Sequence, residues 1–236
     1  MPKQKVVVTD FINPPLNHEE NILGDVASVT ALNAYSEDDL VGQIEDADAI
    51  MLYHFISLSE KTINSLTNCK LIVRCGVGFD NVDWKLARQK GIDVANVPDY
   101  GTEEVADSAI GMMLTLARGV HYMNNRLQRG AGPWIYEQVK PTHRLRGRTF
   151  GIIGVGRIGT ATALRAKALG MRVIYYDPHV PDGRDKSLGI ERIETLSELL
   201  AQSDVVSAHC PRSDETQHML NDETIAQMKP GSFLVN

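Results

Sequence analysis

The stretch TFGIIGVGRIG, residues 149–159, decides the fold of this chain. Its apolar first half predicts a buried strand, and the strand leads directly into the pattern Gly-x-Gly-x-x-Gly. An alanine-rich segment at 160–169 predicts a helix behind the glycines, and a second apolar run follows at 171–176. Asp177 stands at the end of that run. Strand, glycine-rich turn, helix, strand and acid together form the dinucleotide-binding pattern of a Rossmann unit.

Each residue of this pattern has a physical task. Gly154 permits the tight turn, Gly156 lets a pyrophosphate approach the backbone, and Gly159 lets the helix pack on the sheet. The helix N-terminus offers N–H groups and a positive dipole end to the phosphates. Asp177 would accept hydrogen bonds from the adenosine ribose, and its charge would repel a 2′-phosphate. The pattern therefore predicts NAD rather than NADP, the alternative being a glycine-rich turn of some other α/β protein.

Composition narrows the class of protein. The chain has 236 residues and a net charge of −6, which speaks against a general nucleic-acid-binding surface. No apolar run is long enough to span a bilayer, and the N-terminus does not read as a signal peptide. Three cysteines without a Cys-x-x-Cys pair indicate reduced thiols, and no metal-type His/Cys spacing occurs. We expect a cytoplasmic protein with no metal site and no nucleic-acid or membrane partner.

The remaining sequence alternates short strand-like and helical segments, which predicts parallel sheets covered by helices on both faces. Residues 81–90 are predicted as a helix with Asp80 or Asn81 as its cap. One long helix is predicted over 102–129. Its predicted apolar face, methionines included, consists of Val105, Ala109, Met112, Met113, Leu116 and Val120. The domain boundary is placed at this helix, giving domains 1–101 and 102–236.

Two further stretches are candidates for chemistry. In the loop after the strand that ends at Arg74, Gly76 and Gly78 are expected to turn backbone N–H groups outward as a carboxylate-binding nest. Arg74 would add a charge-assisted contact, and the alternative is a plain βα turn. His209-Cys210-Pro211 ends another strand, where ligands of open α/β sheets bind. His209 is a candidate general base, but a histidine at a strand end is more often packed than catalytic.

In combination these motifs resemble the D-isomer-specific 2-hydroxyacid dehydrogenase family. The resemblance covers nearly the whole chain and is carried by residues 74–83, 96–98, 104–107, 145–159, 176–178, 209–211 and 231–236. Within the family the chain resembles the C-terminal-binding-protein-like members, through Arg74, Asp80-Asn81 and residues 164–168. Those members include transcriptional corepressors that keep a dehydrogenase fold as well as bacterial dehydrogenases.

The resemblance implies an α/β protein of two doubly wound parallel-sheet domains, a flavodoxin-like substrate domain and a Rossmann domain for NAD, with the site between them. It implies hydride transfer between nicotinamide and a small D-2-hydroxy acid or 2-keto acid, and a homodimer. The substrate carboxylate would bind the N–H groups of Val77 and Gly78 beside Arg74. The implied cofactor contacts are Val105 at the nicotinamide, Arg157 and Ile158 at the pyrophosphate, Asp177 at the ribose, and His209, Cys210, Pro211 and Thr216 along the pocket.

The family's catalytic arginine, glutamate and histidine follow the strand that here reaches Asn236. The resemblance therefore implies that none of the three lies among these 236 residues, and that the NAD domain is incomplete. We expect the N-terminal portion of an NAD-dependent dehydrogenase. The alternatives are an NAD-sensing corepressor or scaffold of the C-terminal-binding-protein type, and an inactive fragment.

Overall fold

The computed structural model describes residues 2–140 and 142–236. The chain forms two compact units, Met1–Tyr100 and Gly101–Asn236. Each unit is built on its own five-stranded parallel sheet, so the predicted α/β class with two doubly wound sheets is confirmed. No helix within the described residues is long and apolar enough to cross a bilayer.

The first unit has the strand order of a flavodoxin-like fold. Its strands are β1 (Gln4–Val8), β2 (Ala27–Ala31), β3 (Ala49–Leu52), β4 (Leu71–Arg74) and β5 (Asp93–Asn96). Its helices are α1 (Asn17–Leu23), α2 (Glu60–Ser65) and α3 (Trp84–Gln89), with a 3₁₀ helix at Glu37–Leu40. The order in the sheet is β2-β1-β3-β4-β5, so the direction of winding reverses between β1 and β3. Ligands of such sheets bind outside the carboxyl ends of the two strands at that reversal.

The second unit has the order of a Rossmann sheet. Its strands are β6 (Thr149–Ile153), β7 (Arg172–Tyr176), β8 (Glu191–Arg192), β9 (Val205–Ala208) and β10 (Phe233–Val235). Its helices are α4 (Thr102–Arg118), α5 (Val120–Gln128), α6 (Arg157–Ala168), α7 (Arg184–Leu188), α8 (Leu196–Gln202) and α9 (Asp222–Ile225), with a 3₁₀ helix at Tyr136–Val139. The order β8-β7-β6-β9-β10 reverses between β6 and β9.

Both faces of the second sheet are covered, which is why β6 is buried along its whole length. Phe150 and Ile152 pack on one face with residues of α4 and α6. Ile153 and Ile174 pack on the other face with α8. The doubly wound arrangement therefore leaves the carboxyl end of the sheet as the place where its strands open toward a ligand.

The predicted helix over 81–90 is wrong at its start. Helix α3 begins at Trp84, because Asp83 caps it by accepting a hydrogen bond from the Leu86 N–H at 3.0 Å. Neither Asp80 nor Asn81 caps this helix, and the Asn81 amide instead donates to backbone carbonyls of another loop. A side chain that reaches across the fold leaves no local signal in sequence.

The predicted long helix over 102–129 is two helices, and its predicted buried face is confirmed at Ala109 and Met113 but wrong at the other four positions. Gly119 has φ of 62° and both ends α4 and begins α5. The residues of α4 that are buried are Ala106, Ala109, Met113 and Ala117. Val105, Met112, Leu116 and Val120 are exposed. Helix α4 packs on the small side chains of α6. The alanine-rich side of α4 can approach α6 more closely than the side that carries its larger apolar residues.

Candidate functional site

The glycine-rich turn after β6 is built as its sequence predicts, and each glycine has a separate reason. Gly154 has φ of 87°, and a Cβ there would lie 2.8 Å from the backbone nitrogen of Cys210. A Cβ on Gly159 would lie 2.0 Å from the carbonyl oxygen of Gly154. A Cβ on Gly156 would meet no atom within 4 Å. The chain therefore needs no glycine at 156 for its own packing, and the open space there suits a ligand group.

Helix α6 begins directly beside this open space. Gly156 is its N-cap and contributes no side-chain hydrogen bond, so the first-turn N–H groups at Arg157 and Ile158 are not capped by it. The helix has 12 residues, so its aligned peptide dipoles place a partial positive charge at its N-terminus. Backbone donors and dipole together favour a phosphate at this position.

Asp177 is held in place by two backbone donors. Its Oδ2 accepts a hydrogen bond from the Val155 N–H at 2.8 Å, and its Oδ1 accepts one from the His179 N–H at 2.9 Å. Each carboxylate oxygen can accept a further hydrogen bond. The carboxylate is thus oriented beside the glycine-rich turn with capacity left for the two hydroxyls of a ribose.

A cavity of about 630 Å³ lies at the carboxyl ends of β6, β7 and β9. That volume is within the usual range for a small-molecule site. Seven of the predicted cofactor residues line it, namely Gly154, Gly156, Asp177, His209, Cys210, Pro211 and Thr216. Thr216 stiffens its wall, because its hydroxyl donates to the Pro211 carbonyl at 2.6 Å and accepts from the Ser213 N–H at 2.8 Å. The predicted nicotinamide contact Val105 is an exposed residue in the first turn of α4 and does not line this cavity.

His209 and Cys210 are packed residues of the cavity wall. Burial lowers the pKa of His209 to about 4, so its imidazole is neutral at physiological pH. Its Nε2 pairs with the hydroxyl of the buried Ser207 at 2.9 Å. Burial also raises the pKa of the Cys210 thiol, whose Sγ lies 3.7 Å from the Met219 sulfur. A neutral, weakly basic imidazole and an unionised thiol suit cofactor packing better than proton transfer.

The predicted nest in the first unit is only partly formed. The Gly76 N–H donates to the Arg74 carbonyl at 2.8 Å and so does not face outward, and neither Gly76 nor Gly78 has a positive φ. The N–H groups of Val77 and Gly78 have no acceptor among residues 2–140 and 142–236. Gly76 matters for packing instead, since a Cβ there would collide with the Arg74 guanidinium. Two backbone donors beside a guanidinium remain available to a carboxylate.

Two residues of this region, Asp10 and His54, lie in no sequence motif and were missed, whereas Asn81 belongs to the 74–83 motif but contacts Arg74 instead of capping a helix. His54 Nδ1 lies 3.1 Å from Arg74 Nη2. Asn81 Oδ1 lies 3.4 Å from Arg74 Nε, so both sides of the guanidinium are engaged. Asp10 is fully buried and holds the loop that carries His54. The only available signal was topological, because residues 9–11 and 53–55 follow the two strands between which the sheet order reverses.

No group of three or more His, Cys, Asp or Glu side chains could hold a metal ion within the described part of the chain. The residues that are gathered at the two sheet ends are instead backbone donors, one oriented carboxylate and one guanidinium. Such groups bind and orient organic anions and hydroxyls.

Comparison with known proteins decides the family. Residues 110–236 match the model of the D-isomer specific 2-hydroxyacid dehydrogenase NAD-binding domain. The chain belongs to the D-isomer-specific 2-hydroxyacid dehydrogenase family. Its predicted resemblance to this family is confirmed, and so is NAD as the cofactor of the matched domain.

Similar proteins include C-terminal-binding proteins as well as dehydrogenases. C-terminal-binding protein 1 of Caenorhabditis elegans is 38% identical over 224 residues, which are 92% of this chain and 31% of that protein. D-3-phosphoglycerate dehydrogenase of Methanocaldococcus jannaschii is 36% identical over 233 residues, 98% of this chain and 43% of that protein. The chain thus spans less than half the length of either relative.

The fold is that of solved dehydrogenases of the family. D-lactate dehydrogenase of Aquifex aeolicus, crystallised with NAD and lactic acid, superposes with a TM-score of 0.87 at 31% identity. The match covers 97% of this chain and 67% of that one. The family's two-unit fold is therefore present over almost all of these residues.

Proposed function

We propose that this protein is an NAD-dependent oxidoreductase that interconverts a D-2-hydroxy acid and the matching 2-keto acid. Residues 1–101 form its substrate domain and residues 102–236 its NAD-binding domain. The observation that carries the proposal is the arrangement at Gly156 and Asp177, an open cradle at a helix N-terminus beside an oriented carboxylate. That arrangement fits a dinucleotide, and the packing of the chain itself does not require a glycine at position 156.

The residues of the chain bind and orient in this proposal. The α6 N-terminus with Arg157 and Ile158 holds the pyrophosphate, and Asp177 accepts hydrogen bonds from the ribose hydroxyls. In the first unit, the Val77 and Gly78 N–H groups and Arg74 hold the substrate carboxylate. Bound NAD supplies the hydride acceptor at its nicotinamide ring. His209 excludes water from the cofactor wall and moves no proton, because its low pKa keeps it neutral.

Cofactor binding tests the proposal through Asp177. Titration calorimetry of this chain with NAD and NADP should show tighter binding of NAD. Asp177→Ala should weaken NAD binding about 10- to 100-fold, because a charge-assisted hydrogen bond contributes about 1.5–3 kcal/mol. The variant should also show a smaller preference for NAD over NADP. The matched control is Asp182→Ala, which removes an exposed carboxylate paired with Arg192 outside the cavity and should change neither affinity. Equal affinities of the unchanged protein for the two cofactors would argue against the assignment.

Turnover tests the reaction. A protein that carries these residues together with the family's catalytic arginine, glutamate and histidine should oxidise NADH, followed by its absorbance, in the presence of one or more small 2-keto acids. Arg74→Ala should raise the Michaelis constant for the keto acid more than that for NADH. A second candidate function, an NAD-binding scaffold or corepressor, is favoured by the 38% identity to C-terminal-binding protein 1. Tight NAD binding without turnover of any 2-keto acid would favour the scaffold.

We also propose that the protein is a cytoplasmic homodimer. The three cysteines are free, as expected where glutathione keeps thiols reduced. Five apolar side chains between residues 120 and 135 are exposed, and burying them against another copy of the chain would remove apolar surface from water. The family resemblance implies a homodimer, and we propose that residues 120–135 lie in its interface.

A further inference from the structure

Among the described residues, Asp10 is a buried carboxylate whose two oxygens are both hydrogen-bonded, and the proposed function gives it no role. It follows β1 and is 0% exposed. Its Oδ1 accepts hydrogen bonds from the Thr9 hydroxyl at 2.6 Å and the Tyr53 N–H at 2.9 Å. Its Oδ2 accepts from the N–H groups of His54 at 2.7 Å and Phe55 at 2.6 Å. None of the ion pairs found among the described residues includes Asp10, so its partners are the Thr9 hydroxyl and three backbone N–H groups.

Three of those donors are consecutive backbone N–H groups, and together they fix one loop. Residues 53–55 follow β3, next to β1, at the reversal of the sheet order. The carbonyl side of the same loop is held by the Asn81 amide, which donates to the Tyr53 and Ile56 carbonyls at 3.2 and 2.8 Å. The loop is therefore held on both sides by side chains from other parts of the fold.

The loop of residues 53–55 places the His54 ring next to the Arg74 guanidinium. A guanidinium can only donate, so His54 Nδ1 must be the acceptor at 3.1 Å and the ring carries its proton on Nε2. The His54 ring thus sets the direction of the Arg74 guanidinium, which lies against the Gly76 backbone beside the free N–H groups of Val77 and Gly78. Any shift of residues 53–55 would move the imidazole and release the guanidinium.

Phe11 adds a second, independent observation at the same place. It has φ of 71°, a conformation that a bulky residue adopts only where its surroundings enforce it and that clusters at functional sites. Its ring contacts those of Tyr53, His54 and Phe55, with centroids 5.7, 5.2 and 5.9 Å away. Asp10 therefore fixes the backbone of the loop, and the adjacent Phe11 fixes its side chains.

We propose that Asp10 is a positioning residue of the substrate site, one that holds His54 against Arg74 so that the guanidinium is aimed at the substrate carboxylate. The inference rests on the proposed function for the carboxylate and cofactor, but it concerns a residue that touches neither. Asp10 acts only through the loop 53–55.

The experiment compares Asp10→Asn with a matched control in the native protein. Asp48→Asn is the control, because Asp48 also accepts a backbone hydrogen bond in this unit, from the Lys5 N–H at 2.7 Å, but at the opposite end of the sheet. Two readouts are taken: the ¹⁵N resonances of the His54 ring, and the Michaelis constants for keto acid and NADH. Thr9→Val, which removes one donor and keeps the carboxylate, is the milder variant if Asp10→Asn does not fold.

We expect Asp10→Asn to abolish the Nε2–H signature of His54 and to raise the Michaelis constant for keto acid at least tenfold, with less than a twofold change for NADH. Asp48→Asn should change neither readout, and Thr9→Val should raise the constant about threefold. In a His54→Ala background, Asp10→Asn should add less than a further twofold, because residues that act in one chain of contacts are not additive.

An unchanged His54 signature in Asp10→Asn, or in Thr9→Val where only that variant folds, would overturn the proposal. Additive effects of Asp10 and His54 would do the same, because they would show a general structural role. If the native protein reduces no 2-keto acid, the proposed function fails, and loss of the His54 signature in the variant still establishes the positioning.

Discussion

At the scale of single residues, Gly154 and Gly156 stand two positions apart and are glycine for different reasons. Gly154 is demanded by the chain itself, through its positive φ and the nearby Cys210 backbone. The packing of the chain does not require glycine at position 156, because the space around that residue is open. The requirement for glycine there comes from the proposed cofactor. The sequence pattern places both glycines in one motif. The structure shows that Gly154 is needed for the fold, whereas the open space at Gly156 fits the proposed pyrophosphate.

This difference predicts opposite phenotypes for two alanine substitutions. Gly154→Ala should destabilise the protein by about 1–3 kcal/mol, since it combines strain with overpacking. Gly156→Ala should leave the melting temperature within about 2 °C and weaken NAD binding at least tenfold, because its methyl group occupies the phosphate position. Thermal melts with and without NAD measure both effects. A Gly156→Ala variant that binds NAD normally would contradict the assignment of the open space to the pyrophosphate.

His209 gives the protein a predictable response to acid. Its pKa is about 4 in the folded state because it is buried, against about 6.5 when exposed. The unfolded chain therefore binds a proton between these values that the folded chain does not, so this contribution to stability is complete above pH 6.5 and is lost progressively toward pH 4. Carboxylates with a lowered pKa, such as Asp204, lose their contribution only as the pH falls through their own folded values.

Urea denaturation of the wild type and His209→Gln between pH 4 and 8 measures this contribution. The free energy of unfolding of the wild type should fall between pH 6.5 and 4, and the variant should show a smaller fall over the same range. The two curves should run parallel above pH 7. Identical slopes between pH 6.5 and 4 would show that His209 is not buried in its neutral form.

At the scale of elements, the join between α4 and α5 depends on one glycine. Gly119 is left-handed, and a Cβ there would lie 2.7 Å from Val139 Cγ1. Gly119→Ala should therefore lower the free energy of unfolding by about 1–3 kcal/mol. Gly111→Ala is the matched control inside α4, where a Cβ meets nothing within 4 Å, and should raise it by about 0.5–1 kcal/mol. Denaturant titrations of both variants measure the two changes in the free energy of unfolding, which should have opposite signs.

The elements that sequence predicted well are those whose signal is local. The β6–α6–β7 unit is found as predicted, with Asp177 directly after β7, because apolar runs, glycines and an alanine-rich helix mark it. The break at Gly119 was missed because helical periodicity continues across it. The buried face of α4 was predicted correctly at Ala109 and Met113 but not at its larger apolar residues, because sequence shows which residues are apolar but not how closely another helix approaches.

The first unit's candidate site was the least predictable part, and Asp10 shows why. The Arg74 loop has a readable glycine pattern, whereas Asp10, His54 and Asn81 are brought together only by strand order. Their contacts span 20 to 44 positions along the chain, apart from the Asn81–Arg74 pair. No periodicity or capping rule encodes such pairings, so they became visible only once the order of β1, β3 and β4 was known.

At the scale of the whole molecule, each unit places its candidate binding residues at the reversal of its own sheet. In the first unit the connections of the paired strands β1 and β3 run to opposite faces, with Asp10 and His54 following the two strands. In the second unit the same holds for the paired strands β6 and β9, with Gly154 and His209 following them. The proposed carboxylate and pyrophosphate sites thus share one topological feature, which leaves space at the carboxyl end of a parallel sheet where neighbouring connections run to opposite faces.

The last prediction concerns assembly. Val120, Tyr122, Leu127, Trp134 and Ile135 are all more than 40% exposed within 16 consecutive positions. A symmetric dimer would bury this patch against its own copy, and an aspartate placed there would be buried without a partner. Leu127→Asp should therefore convert a dimer to a monomer in light scattering after gel filtration, while Ile22→Asp, at a residue 80% exposed in the first unit, should leave it dimeric. A wild-type monomer, or a Leu127→Asp variant that stays dimeric, would show that residues 120–135 are not the interface between copies.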